Sequence, residues 1–385
     1  MNNSLHLFTS AIKDYLIRVL PISPKEKYDF AFLVHARNFQ DIYRKYPFLK
    51  KLPNNMVGFL SRHMWPVVVS EVTGLRSLKD GHEIKGLVIG FTMTAEQMMS
   101  DRKQALKKII DSAALAKKKG ASIIGLGGLT SSLSKGGLEI LNKVHINLTT
   151  GHAYTAFTVA SNVLRVVDMF NLSKKEISVA IVGASGSIGA TTTQLLARYG
   201  FQDFILIEIE RKIHKLEEIG ISLKKLNPKI QIKFTHNMAF LRKADIIVTA
   251  TNAPDVVVYN EHLKRGAIIV DDAQPSDIAP EVLDNKDVMV IEAGVVNTPG
   301  INNHFNFGLK NREDNFCCMC EIMILVANGW NKHYVVNRAN INLIDKIVSM
   351  GEGLKFKLAE MQNFKELIRP EKIENIKKIL SDKTN

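Results

Sequence analysis

One segment limits this chain's fold more than any other: Val182-Gly183-Ala184-Ser185-Gly186-Ser187-Ile188-Gly189. A short apolar run, Ser178–Val182, leads into it and reads as a strand; Ala190–Tyr199 follows and reads as a helix. A glycine-rich turn in that position is the phosphate loop of a dinucleotide-binding Rossmann unit. The glycines permit the tight turn and a close backbone approach to the pyrophosphate, and the helix start offers free N–H groups at the positive end of its dipole. Gly183, Ser185, Gly186, Ser187, Ile188 and Gly189 are the expected cradle. The spacing is Gly-x-x-Gly-x-x-Gly, and a βα turn without a ligand is the competing reading.

Further strands are expected at Phe204–Ile207, Ile232–Thr235, Asp245–Val248, Ala267–Val270 and Val288–Ile291. Strands alternating with helical stretches predict a doubly wound parallel sheet. The second strand runs into Glu208-Ile209-Glu210-Arg211-Lys212. An acidic residue there holds a ribose 2′-OH and favours NADH, whereas an arginine accommodates the 2′-phosphate of NADPH. Glu208 and Glu210 point one way, Arg211 and Lys212 the other. Thr249-Ala250-Thr251-Asn252-Ala253-Pro254 and Asp271-Asp272-Ala273-Gln274-Pro275 follow two later strands. At strand carboxyl ends such turns line the nicotinamide side of the crevice, so Thr249, Ala250 and Asn252 join the expected cofactor set.

The remainder reads as a second α/β layer and two helical ends. Phe30–Val34, Val67–Val69, Leu87–Ile89 and Ser122–Ile124 read as strands, and Ala95–Lys119 as one helix. Gly125-Leu126-Gly127-Gly128-Leu129-Thr130 closes the last of these strands. A second loop, Leu148-Thr149-Thr150-Gly151-His152, opens a helix to Phe170, with His152 a candidate acid or substrate hydrogen-bond donor. The expected division is an amphipathic helix at 1–24, an α/β substrate domain at 25–170, a Rossmann domain at 171–300 and a helical C-terminal segment at 301–385, lysine-rich from 340. In the N-terminal helix Leu5, Phe8, Ile12, Leu16 and Val19 share a face. That face either packs on the body or meets a membrane surface or partner.

The three cysteines all fall within Cys317–Cys320, which excludes a disulfide framework and points to a reducing cytoplasm. Asp314 is the expected N-cap of a helix Asn315–Asn328, placing Cys317 and Cys318 in its first turn. A helix N-terminus lowers a thiol's pKa and raises its thiolate fraction, as a nucleophile needs. Three small core residues are the other reading. No metal-ligand spacing is present. The net charge is +13, which favours an acidic partner. Lysines spread along helices, without aromatic interleaving, argue against nucleic acid.

Several segments together resemble the long-chain fatty acyl-[acyl-carrier-protein] reductases, from about residue 30 to 353. They are Leu126-Gly127-Gly128-Leu129-Thr130-Ser131, Thr149-Thr150-Gly151 with Thr155-Ala156, and the phosphate loop. Further on come Gly294-Val295-Val296, Phe316-Cys317-Cys318 with Glu321, Gly329-Trp330, and Asn337-Arg338 with Met350-Gly351-Glu352. The resemblance implies thioester reduction through a cysteine acyl-enzyme. Cys318 is the implied nucleophile, Gly294 and Val295 lie in the cofactor region, NADPH is the reductant and an aldehyde the product. It also implies an acyl carrier protein as donor, whose acidity the +13 charge would complement. Acyl-CoA as donor and NADH as reductant stay open. His152 stands where the family has asparagine, and the N-terminal helix and the tail past Gly353 are additions. An amino-acid or shikimate-type dehydrogenase without covalent catalysis, and a nucleotide-sensing binding protein, are the alternative readings.

Overall fold

A computed structural model describes residues 2–22, 24, 26–253 and 255–382, with side chains in the first helix from residue 7 onward. The chain begins with α1 (Asn2–Val19), β1 (Phe30–Ala36), α2 (Phe39–Lys45), α3 (Asn54–His63), β2 (Val67–Arg76), β3 (Glu83–Thr94), α4 (Ala95–Ser100) and α5 (Arg102–Lys118). It continues with β4 (Ile123–Leu126), α6 (Leu129–Leu133), β5 (Asn147–Thr149), α7 (His152–Phe170), β6 (Ser178–Val182), α8 (Ser187–Arg198), β7 (Asp203–Ile207), α9 (Lys215–Leu226) and β8 (Gln231–Thr235). Then come β9 (Ile246–Thr249), β10 (Ile268–Asp271), α10 (Pro280–Asp284), β11 (Met289–Glu292), β12 (Val295–Asn297), β13 (Asp314–Phe316), α11 (Cys317–Ala327), α12 (Ile341–Gly351), β14 (Lys357–Leu358) and α13 (Pro370–Ser381).

Two compact units result. The first comprises Met1–Gly151, Thr298–Arg338 and Lys346–Phe356; the second comprises His152–Asn297, Ala339–Asp345 and Lys357–Asn385.

The second unit holds a six-stranded sheet in the order β11-β10-β9-β6-β7-β8, with every pair parallel. This is the doubly wound Rossmann arrangement, with the order reversing at β6. Val179, Ala180 and Ile181 of β6 are fully buried, as a central parallel strand covered on both faces must be. The phosphate loop leaves the carboxyl end of this strand, at the switch point where such sheets bind ligands.

The first unit holds a five-stranded sheet, β2-β3-β1-β4-β5, parallel except for the β2–β3 hairpin at its edge. The hairpin strands are much longer than the short apolar cores at 67–69 and 87–89. They extend through polar residues such as Glu71 and Lys85, which an antiparallel edge can leave exposed on one side.

Three other elements differ from the sequence expectation. The helix expected over 95–119 is two helices. Thr94 and Gln97 form a capping box for α4, and Asp101 leaves the helical region to accept from Gln104 N–H and start α5. Asp314 is not at the N-cap position: it lies in β13, and α11 starts at Cys317, with Phe316 as its N-cap residue. The tail beyond residue 340 is interrupted, with only α12 and α13 helical beside the short β14.

The first helix presents its predicted face outward. Ala11, Asp14 and Ile17 are buried, while Phe8, Tyr15, Leu16 and Val19 are exposed and Ile12 is half-buried. The side chain of Leu5 lies outside the described residues. Polar contacts decide the orientation. Asp14 pairs with Lys119 at 2.9 Å and accepts from Val68 N–H, and Arg18 pairs with Asp111 at 2.8 Å. An acid and a base one turn apart cannot be buried without partners, and the body supplies them. No helix among the described residues is long and apolar enough to cross a membrane.

Candidate active site

In the second unit the phosphate loop has the geometry of an anion cradle. Gly183 sits at φ +79, and a Cβ there would fall 2.6 Å from the carbonyl oxygen of Ala250. A Cβ on Gly189 would fall 2.5 Å from the carbonyl oxygen of Gly183. Side chains are thus excluded where the loop closes on itself, and the backbone is left to meet a ligand. Gly186 is the N-cap residue of α8, and no side chain caps that helix start. An uncapped first turn presents N–H donors to an anion. Ser187 Oγ accepts from Ala339 N–H at 3.0 Å, which ties the loop to the C-terminal segment of the same unit. A dinucleotide diphosphate fits this loop.

The acid expected to read the ribose is otherwise engaged. Glu208 is buried. Its Oε2 accepts from Ser185 N–H at 3.1 Å and from Ser185 O–H, and its Oε1 accepts from Ile209 N–H at 3.0 Å. The carboxylate therefore fixes the phosphate loop from below. Glu210 and Arg211 are exposed and Lys212 is half-buried. Of the oppositely charged groups that the sequence sets side by side here, one acid is consumed by the loop, and neither base is fully buried.

The turns after β9 and β10 are joined by two buried aspartates. Asp271 accepts from Thr249 O–H, Ala273 N–H, Ser276 O–H and Asp277 N–H. Asp277 accepts from Thr251 through both its N–H and its hydroxyl. Burial and the neighbouring Asp277 push the Asp271 carboxyl above the usual carboxylate range, and burial pushes Asp277 up as well. Thr249 thus spends its hydroxyl on Asp271. Ala250 backs Gly183 with its carbonyl, and Asn252 is exposed. Pro254 lies outside the described residues. Gly294 and Val295 are buried at the start of β12. His152 opens α7 in this unit, and burial pushes its imidazole down to about 4, leaving it neutral near pH 7.

In the first unit the cysteine helix and the β5 loop form one cluster. Cys317 and Cys318 occupy the first two positions of α11, directly after the N-cap residue Phe316. Cys317 and Cys320 are buried, and burial pushes the Cys320 thiol far up, which disqualifies it as a nucleophile. Cys318 is the half-buried one. Gly151, at φ +80, packs directly on it: a Cβ there would sit 2.4 Å from Cys318 Cβ and 2.5 Å from its Cα. One turn along α11, the fully buried Glu321 accepts from Gly151 N–H at 3.0 Å and from the Thr149 hydroxyl. Thr149 Oγ1 also accepts from Val335 N–H, and Thr150 N–H donates to the Val335 carbonyl. The loop Thr149–Gly151 is thereby held against the start of α11. Glu321 is the residue whose role the sequence reading missed. Its signal was present: it is the one charge in the otherwise apolar Cys317–Ala327, and a buried charge demands fixed partners.

Residues 166–294 match the shikimate/quinate 5-dehydrogenase family. The chain is 27% identical over 303 residues to a long-chain acyl-[acyl-carrier-protein] reductase of Synechococcus elongatus, covering 75% of this chain and 85% of that one. It is 23% identical over 307 residues to the aminotransferase PigE of a Serratia species, covering 77% of this chain but only 35% of that protein's length. Among solved structures, L-tryptophan dehydrogenase from Nostoc punctiforme aligns at 12% identity with a TM-score of 0.37, covering 85% of this chain and 80% of that one. Fold and family match define an α/β protein with a Rossmann-type unit of the shikimate-dehydrogenase kind. The class they support is an NAD(P)-dependent oxidoreductase.

Proposed function

We propose that this protein reduces a long-chain acyl thioester to the aldehyde, with Cys318 as the acyl-accepting nucleophile and NADPH as reductant. The observation that carries the reading is Cys318 itself: a half-buried thiol in the first turn of α11, with Gly151 against it and Glu321 securing that contact. The likeness to the Synechococcus reductase supports the class of reaction.

The helix start favours the Cys318 thiolate. It adds to the thioester carbonyl carbon, the donor sulfur leaves and takes a proton, and an acyl group remains on Cys318 Sγ. Nicotinamide, when bound, would supply hydride to this acyl carbon; Cys318 Sγ would then leave as the thiolate, freeing the aldehyde. Gly183, Ser185, Gly186, Ser187, Ile188 and Gly189 would hold the diphosphate. Arg211 and Lys212 would receive a 2′-phosphate, because Glu208 is engaged by Ser185 and Ile209. That arrangement favours NADPH. His152, neutral, would donate or accept a hydrogen bond rather than carry charge. The acyl donor is an acyl carrier protein or acyl-CoA, both acidic, matching the +13 charge and steered by it. The three free thiols suit a reducing cytoplasm.

The test is intact-mass analysis after incubation with palmitoyl-CoA and no reductant. The expected result is one palmitoyl adduct, absent in Cys318→Ala. The match of residues 166–294 to the shikimate/quinate dehydrogenases supports a second reading, hydride transfer without an acyl-enzyme. In that case no adduct forms, and Cys318→Ala retains full turnover of a hydroxy- or amino-acid substrate.

A further inference from the structure

We infer that the N-terminal helix and its neighbour α3 form a docking surface for an anionic lipid bilayer. The inference is independent of the thioester chemistry.

The starting observation is the orientation of α1. Phe8, Ile12, Tyr15, Leu16 and Val19 fall at i, i+4, i+7, i+8 and i+11, which is one side of a helix. That side faces away from the body, while Asp14, Arg18 and the Leu20 carbonyl fasten the other side to Lys119, Asp111 and Lys118. Phe8 is 55% exposed. The stripe does not hold α1 in place; ion pairs and the buried Ala11 and Ile17 beneath it do. Leu20 and Ile22, just past the helix, are exposed as well.

Helix α3 repeats the pattern. Met56, Phe59, Leu60 and His63 fall at i, i+3, i+4 and i+7 and are exposed, with Phe59 at 63%. Trp65 joins the two helices. It lies two residues past the end of α3, its indole N–H donates to the Ala11 carbonyl, and its ring lies 4.9 Å from that of Tyr15. The C-terminal end of α3 therefore sits beside the middle of α1, within one compact unit.

Charge selects the occupant. Residues 2–20 and 47–63 carry Lys13, Arg18, Lys50, Lys51 and Arg62, and Asp14 is the sole acid among them. Asp14 is buried and neutralised by Lys119, whereas Lys13, Lys50 and Lys51 are exposed. Aromatic and aliphatic side chains flanked by lysines, with no exposed acid in either segment, suit the headgroup boundary of a negatively charged leaflet: apolar groups enter the acyl region and lysines stay at the phosphates. An acidic protein partner would use the lysines but leave the protruding Phe8 and Phe59 without a reason. With no helix able to cross a bilayer among the described residues, attachment would be peripheral.

The test is flotation of the full chain with phosphatidylcholine vesicles, with and without phosphatidylglycerol. The expected result is co-flotation with the anionic vesicles, weakened by salt. Replacing Lys13, Lys50 or Lys51 with glutamine should lower the partition coefficient by about fivefold each. F8E/L16E/V19E and, separately, F59E should abolish flotation while palmitoylation of Cys318 from palmitoyl-CoA is unchanged. Using two surface variants on different helices separates lost docking from lost folding, and the acylation readout separates this inference from the catalytic one. The inference is overturned if wild-type protein stays unfloated with both vesicles, or if F8E/L16E/V19E floats as wild type does. It is equally overturned if sedimentation shows a dimer of this chain that the same substitutions dissolve, because the stripe then covers a second copy.

Discussion

Replacing Glu208 with glutamine tests how the cofactor is recognised. The carboxylate accepts three hydrogen bonds, two at Oε2 from Ser185 and one at Oε1 from Ile209 N–H. Glutamine has the same shape but one acceptor oxygen and one NH2. If the oxygen faces Ser185, the amide nitrogen opposes Ile209 N–H; if reversed, it opposes Ser185 N–H. The Ser185 hydroxyl can rotate, but neither backbone N–H can. At least one backbone donor next to the phosphate loop is left without its charged acceptor, at about 1.5–3 kcal/mol. If dinucleotide binding must restore the loop, dissociation constants rise about 10- to 150-fold. The diphosphate is common to both cofactors, so NADPH and NADH should weaken by the same factor. Arg211→Ala, in contrast, should weaken NADPH by about tenfold and leave NADH unchanged, through loss of a charge-assisted contact to the 2′-phosphate. Titration of both reduced cofactors by their fluorescence measures all four constants. A loss confined to NADH in Glu208→Gln would refute the argument, because Glu208 would then be reading the ribose hydroxyls and not bracing the loop.

Other substitutions probe the cysteine cluster and the buried charges. Gly151→Ala should cost about 2–5 kcal/mol in urea unfolding, combining left-handed backbone strain with overpacking against Cys318. An unchanged midpoint would show that the loop is not packed as described. Glu321→Gln should slow single-turnover acylation of Cys318 by tenfold or more, since it weakens the ties to Thr149 and Gly151, while palmitoyl-CoA binding changes little. Equal acylation rates would remove Glu321 from the site. Lys108 is buried and donates to the Ser61 carbonyl at 3.0 Å, and burial pushes its ammonium down to about 8. The unfolded chain therefore binds more protons than the folded one between about pH 8 and 10, and stability should rise across that window, by up to about 3 kcal/mol. Lys108→Met should lack the rise. It should still fold, because Thr92 O–H also donates to Ser61 at 2.7 Å.

What was legible in the sequence follows from which forces act locally. The phosphate loop was readable because a turn between a buried strand and a helix needs glycine at Gly183 and Gly189, whatever surrounds it. The strands of the Rossmann unit were readable because parallel strands such as Ile246–Thr249 and Ile268–Asp271 are covered on both faces and appear as unbroken apolar runs. The hairpin β2–β3 was legible only at its apolar cores, since its outer residues are exposed on one face and carry no such signature. Side-chain partnerships across sequence distance were invisible. Nothing near Glu208 in the chain shows that Ser185 will claim it, and nothing near Thr149 shows that Glu321, at the far end of the first unit's sequence, will accept its hydroxyl.

The first helix shows why an apolar stripe alone does not reveal which way a helix faces. A stripe is ordinarily buried because burial of each large side chain is worth about 1.5–3 kcal/mol. On α1 a competing set sits on the opposite side: Asp14 and Arg18 flanked by Ala11 and Ile17. Turning the stripe inward would strand both Asp111 and Lys119 and expose the apolar Ala11 and Ile17 in exchange for Phe8, Leu16 and Val19. Two ion pairs with little exposure, the hydrogen bond from Val68 N–H and the burial of Ala11 and Ile17 outweigh that exchange and leave the stripe facing outward. A helix that faced water on that side would lose the benefit of every apolar residue in the stripe, and substitution by polar residues would cost it nothing. Large exposed apolar groups at Phe8, Leu16 and Val19, beside the exposed Lys13, are the arrangement expected when a lipid surface provides the burial that the protein body does not.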